Sequence, residues 1–100
     1  MNNKDITELT AKAKSGDKDA FEKLYKEYYS KVYYFVRQNT GCDDAAEDIT
    51  AETFSAAMQM LPTLKKEESF VGWLYCIAFR KCADFIKTTQ LDRKQREDSA

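Results

Sequence analysis

Apolar side chains recur along the chain at helical spacing in four separate segments. In the first, residues 5–15, Ile6, Leu9 and Ala13 share a face and Gly16 stands where a helix would stop. Asp17 can cap the second, in which Phe21, Leu24, Tyr25, Tyr28, Val32, Phe35 and Val36 keep a three-and-four rhythm until Gly41. The third starts at Asp43 or Asp44, turns Ala46, Ile49, Thr53, Ala57, Met60 and Leu61 inward, and is ended by Pro62. After a polar loop, Ser69 can cap a fourth helix over 70–87, whose expected buried stripe is Val71, Leu74, Tyr75, Ala78, Cys82, Phe85 and Ile86. The pattern predicts an all-α, single four-helix domain.

Composition supports this. One hundred residues suit one core, and three glycines, one proline and 13 aromatics offer bulky packing material without the frequent turn signals of an all-β chain. The three cysteines, Cys42, Cys76 and Cys82, form no evident disulfide framework, which fits a reducing cytoplasm. With no histidine and no C-x-x-C spacing, neither a metal site nor a cofactor is expected, and without a glycine-rich phosphate loop or a nucleophile–base set, nor is an enzyme. The N-terminus has no apolar export segment, and the longest apolar run, WLYCIAF, is far short of the ~20 residues of a membrane span, so no membrane partner is expected.

The formal net charge of −1 conceals a polar distribution. The stretch DDAAEDITAETF, residues 43–54, holds five acids, and no Lys or Arg occurs between Gln38 and Leu64. Asp43, Asp44 and Glu47 sit in the first turn of the third helix, where carboxylates are favoured by the positive end of the dipole by about 0.3–1 kcal/mol each. That does not cover the whole stripe: Asp44, Asp48, Glu52, Ser55 and Gln59 follow at steps of four, four, three and four, opposite the apolar face. A solvated face is the plainer reading, yet no Lys at i+4 supplies the usual helical ion pairs, which suits a surface made for a positive partner.

The fourth helix shows a different outer stripe, Phe70, Trp73, Ile77, Arg80 or Lys81, Asp84 and Lys87, with aromatics first and cations after. Rings that stack on unpaired bases for about 1–3 kcal/mol each, beside cations that follow phosphates, suit single-stranded nucleic acid. The plainer alternative is that Phe70 and Trp73 pack on a neighbouring helix while the cations are solvated near the helix C-terminus. The loop before it, residues 61–69, carries Lys65 and Lys66 in the run KKEE.

Taken in order, GDKDAFEKLYKEYY, AEDITAETF and FVGWLYCIAFRKCADFIK resemble region 2 of the extracytoplasmic-function sigma factors of bacterial RNA polymerase, over about residues 5–88. The resemblance implies a cytoplasmic bacterial transcription factor that binds core RNA polymerase and melts the promoter −10 element. In that family the acidic helix docks on the basic clamp helices of the β′ subunit, which implies contacts from Asp44, Asp48, Ala51, Glu52 and Ser55. Ala51 departs from the family's usual D-x-x-Q-E, where a glutamine stands. The family captures an extruded base of the non-template strand in the loop between the third and fourth helices, which implies DNA contacts from Lys65, Lys66, Phe70, Trp73, Ile77, Arg80, Lys81, Asp84 and Lys87. Arg80 stands where many relatives have asparagine. An anti-sigma factor is a further partner of such domains.

The resemblance also sets the expected domain division: 1–88 is a region 2-like helical domain, and 89–100, TTQLDRKQREDSA from residue 88 onward, is a charged linker or frayed helix end leading to a region 4 that the sequence does not contain. The rival reading is a protein-interaction module that uses the acidic helix to bind a basic partner and never touches DNA.

Overall fold

The computed structural model describes residues 1–98, with side chains described as far as residue 89. Among them are four α-helices, α1 (Asn3–Lys14), α2 (Lys18–Thr40), α3 (Asp43–Met60) and α4 (Phe70–Asp98), two short 3₁₀ turns (Leu61–Thr63 and Glu67–Ser69), and no strand. The all-α four-helix architecture expected from the spacing is the one observed.

Local chemistry explains most boundaries. The Asn2 side chain accepts from the Asp5 N–H at 2.8 Å and the Asp17 side chain from the Ala20 N–H at 3.2 Å, satisfying free donors at the starts of α1 and α2. Gly41 ends α2 at φ 71°, a left-handed conformation that a side chain would strain, and its N–H donates to the Arg37 carbonyl at 2.9 Å. Ser69 is not the expected cap of α4. It closes a 3₁₀ turn that runs straight into the helix, its N–H donating to the Lys66 carbonyl at 3.0 Å, while Glu67 and Glu68 supply negative charge near the helix start.

The core lies where the four helices meet, with Leu24, Val32, Val36, Ala46, Ala57, Phe70, Leu74 and Ala78 fully buried. Phe54 was not among the expected inward residues, yet it is buried between the rings of Tyr25, 4.8 Å away and edge-on, and Tyr29, 6.2 Å away and stacked. Leu61 is buried as expected, but Met60, expected beside it, is exposed: the chain tightens to a 3₁₀ turn after it, and Leu64 joins Leu61 in the interior. Ile86 is likewise exposed, because the buried line of α4 runs Phe70, Leu74, Ala78, Cys82 and leaves Ile86 beside it. The helix continues past the expected end near residue 88, to Asp98, and the last part of the expected linker, residues 99–100, lies outside the described residues.

Candidate nucleic-acid and polymerase interface

The expected acidic contacts share one exposed face. Asp44, Asp48, Ala51, Glu52 and Ser55 are all exposed on α3, opposite Ala46, Ile49, Thr53 and Ala57, which are buried. The first-turn acids are partly committed elsewhere. Asp43 accepts a hydrogen bond from Arg37 Nε at 2.5 Å, and that bond, with the charge behind it, pushes the guanidinium above its ordinary value, so Asp43 ties α3 to the end of α2. Asp48 and Glu52 lie further along, lining a groove between α3 and α4 with Ala45, Ile49 and Phe85 as its apolar part.

Two features of that groove come from tertiary packing. Lys81 Nζ lies 3.9 Å from the Glu52 carboxylate, so Glu52, without a cation on its own helix, has one on the neighbouring helix. The contact is long and the Glu52 side chain is 65 % exposed, which limits its worth to below about 1 kcal/mol and leaves the carboxylate open to another cation. Asp84 lines the same groove as Asp48 and Glu52. Exposed on α4, its carboxylate adds to the acidic lining of that groove.

The outer stripe of α4 divides in the same way. Phe70 is fully buried, with its ring 6.3 Å from Tyr28 and 6.1 Å from Trp73, so its expected role as a DNA-facing ring is a misassignment. The first apolar residue after the loop closes the core between α2 and α4. Trp73 and Ile77 are half-buried against the core, and Arg80 and Lys87 are exposed. Trp73, Arg80 and Lys87 fall at steps of seven, one above another along the helix. Lys65 and Lys66 are exposed in the loop.

Sequence reasoning missed Lys14. From the end of α1 its ammonium donates to the Leu64 carbonyl and lies 3.7 Å from the Glu67 carboxylate, so it is joined to both halves of the loop. Spacing could not reveal a contact across fifty residues. A second groove, between α2 and α4, is lined by Phe35, Tyr75, Cys76, Phe79 and Arg80. Among the described residues no three metal-ligating side chains come close enough to hold a metal ion, and no helix is long and apolar enough to cross a membrane.

The domain thus combines four helices, an acidic row on α3, a short loop and a basic, Trp-bearing face on α4. The Sigma-70 region 2 family profile matches residues 24–91. The chain belongs to that family. It is 36 % identical over 86 residues to the ECF RNA polymerase sigma factor BldN of Streptomyces coelicolor, covering 85 % of this chain and 33 % of that protein. It is 32 % identical over 87 residues to the ECF RNA polymerase sigma factor SigW of Bacillus subtilis, covering 87 % of this chain and 46 % of that one. Against the ECF RNA polymerase sigma-E factor of Haemophilus influenzae it is 30 % identical over 90 residues, covering 90 % of this chain and 47 % of the relative. The chain thus spans between a third and about half of the length of these curated relatives.

Proposed function

We propose that this region 2 domain is the part of a bacterial, cytoplasmic transcription initiation factor that attaches to core RNA polymerase through α3 and recognises and melts the promoter −10 element through residues 61–69 and α4. The observation that carries the reading is the juxtaposition of two oppositely charged surfaces on one small domain. Asp48, Glu52 and Asp84 converge on the α3–α4 groove, while Arg80 and Lys87 stand exposed along α4 with Trp73 in line. The apolar part of the groove and its carboxylates suit a basic amphipathic helix, the character of the β′ clamp helices. Asp44, Ala51 and Ser55 flank that contact. Ala51 contributes shape there and no hydrogen bond, and Asp84 stands in as a third carboxylate.

On the other surface, Lys65, Lys66, Arg80 and Lys87 follow phosphates, and Trp73 and Ile77 support the melted non-template strand. Lys81 serves as the hinge between surfaces, because the same ammonium faces Glu52. Flipping a base out of the stack costs a few kcal/mol, which contacts in the loop must return, so the loop sets promoter choice. The domain carries out no chemistry of its own, and an anti-sigma factor would act by covering either surface.

The experiment that separates this reading from a module that binds only protein is single-stranded −10 oligonucleotide binding by core polymerase carrying the chain, at two salt concentrations. Arg80→Ala with Lys87→Ala is the informative pair, since Lys81 is paired with the acidic side. Removing two phosphate contacts should weaken DNA binding and flatten its salt dependence while core binding stays intact. Unchanged DNA affinity would favour the protein-only module.

A further inference from the structure

The loop between α3 and α4 is held to the rest of the domain unequally. Its first half is anchored by the buried side chains of Leu61 and Leu64, and its second half is exposed apart from Glu67, which is half-buried. The loop's own backbone bonds, from the Leu64 N–H to the Leu61 carbonyl and from the Ser69 N–H to the Lys66 carbonyl, both 3.0 Å, close single turns, and its bonds from Thr63 Oγ1 to the Met60 carbonyl and from the Phe70 N–H to the Glu67 carbonyl join it only to the helices on either side. The second turn packs beside α1, and the Lys14 side chain supplies the polar link to that helix. Its ammonium donates to the Leu64 carbonyl, at the end of the first turn, and lies 3.7 Å from Glu67, which opens the second. The side chains of Lys14 and Glu67 are 28 % and 32 % exposed, sheltered enough that the pair is less screened than one on an open surface. α1, which carries this residue, lies outside residues 24–91 matched by the family profile.

We infer that Lys14 is a positioning residue for the α3–α4 loop: by holding Leu64 and Glu67 in one arrangement, it fixes the surface that meets an unpaired base, so the loop's base preference depends on α1. This rests on the reading that the loop contacts DNA. A loop tied at two points presents its polar groups in a single geometry and discriminates among bases. A released loop contacts several bases indifferently, because ordering it on each one cancels part of the binding free energy.

Lys14→Met keeps the aliphatic stem and removes the ammonium, and Lys14→Arg restores a cation. Hydrogen exchange of the free chain reads the tether directly. In Lys14→Met the amides of residues 64–69 should exchange on the order of tenfold faster, the scale of one charge-assisted hydrogen bond, with protection in α2, α3 and the buried part of α4 unchanged. Core polymerase carrying the chain is then used to select from fully randomised single-stranded oligonucleotides. The wild-type chain should enrich a defined base at one position, and Lys14→Met should lose that preference at undiminished core affinity, with Lys14→Arg restoring both readouts. Unchanged exchange in Lys14→Met would overturn the tether. Faster exchange with an unchanged enriched base would overturn its role in base capture. Should the wild-type chain enrich no base at all, the DNA role of the loop fails and takes that part of the inference with it, while the exchange result still decides the tether.

Discussion

Replacing Phe70 by alanine tests the division of α4 into core and surface. Phe70 is 0 % exposed and sits between the Tyr28 and Trp73 rings, so truncation removes a large buried side chain and leaves a cavity that rings on a rigid helix cannot collapse to fill. Such changes cost about 3–5 kcal/mol, a large part of the roughly 5–15 kcal/mol that holds a domain of this size together. With a urea dependence of about 1.5 kcal/mol per molar, the unfolding midpoint should fall by about 2–3 M. The transition can be followed by helical circular dichroism and by the emission of Trp73, the one tryptophan in the chain and a neighbour of the mutated site. Phe70→Leu fills most of the space and should lose far less. A shift within the ~0.5 kcal/mol of ordinary surface changes, together with lost DNA binding, would show that Phe70 faces outward and that the core assignment is wrong.

Other expectations concern single groups in the interior. Thr50 Oγ1 is buried with no hydrogen-bond partner, whereas the Thr10 and Thr53 hydroxyls donate to the Ile6 and Ile49 carbonyls at 2.7 Å. Thr50→Val should therefore raise stability by about 1 kcal/mol and Thr53→Val should not; a lower melting temperature for Thr50→Val would refute the assignment. Burial pushes the Cys82 thiol above its ordinary value of 9.0. Because the folded value is the higher one, its contribution is complete below pH 9.0 and is lost as pH rises from there through the folded value, so stability should fall in alkali. Cys82→Ala should flatten that decline in urea titrations run across the range, and an equally steep decline would assign it to other groups.

The helices were legible because each is an amphipathic repeat with its own punctuation: Asp17, Gly41 and Pro62 mark ends that the structure keeps. What the spacing could not give were choices made by neighbours. Phe70 begins the fourth helix, and its side of that helix could be assigned only once Tyr28 and Trp73 were in place. Met60 gave way to Leu64, which joins the expected Leu61, because the backbone tightened just after it. Phe54 lies at the edge of the apolar stripe of α3 and is buried by the tyrosines of α2. The acidic row was legible in full as a row, but the charges opposite it were not: Lys81 and Asp84 reach that groove from α4, and Lys14 reaches the loop from α1. Contacts of this kind depend on the packing angle between helices, which sequence spacing leaves open.

The proposed function depends first on attachment to polymerase through the acidic groove. Its most direct test is the affinity of core RNA polymerase for the chain carrying Asp48→Ala and Glu52→Ala, measured at low and at high salt alongside the unaltered chain. Both residues are exposed, so folding should be unaffected. Core affinity should fall on the order of ten- to a hundredfold at low salt, and by less at high salt as the remaining charges are screened. Equal affinities at low salt would contradict it.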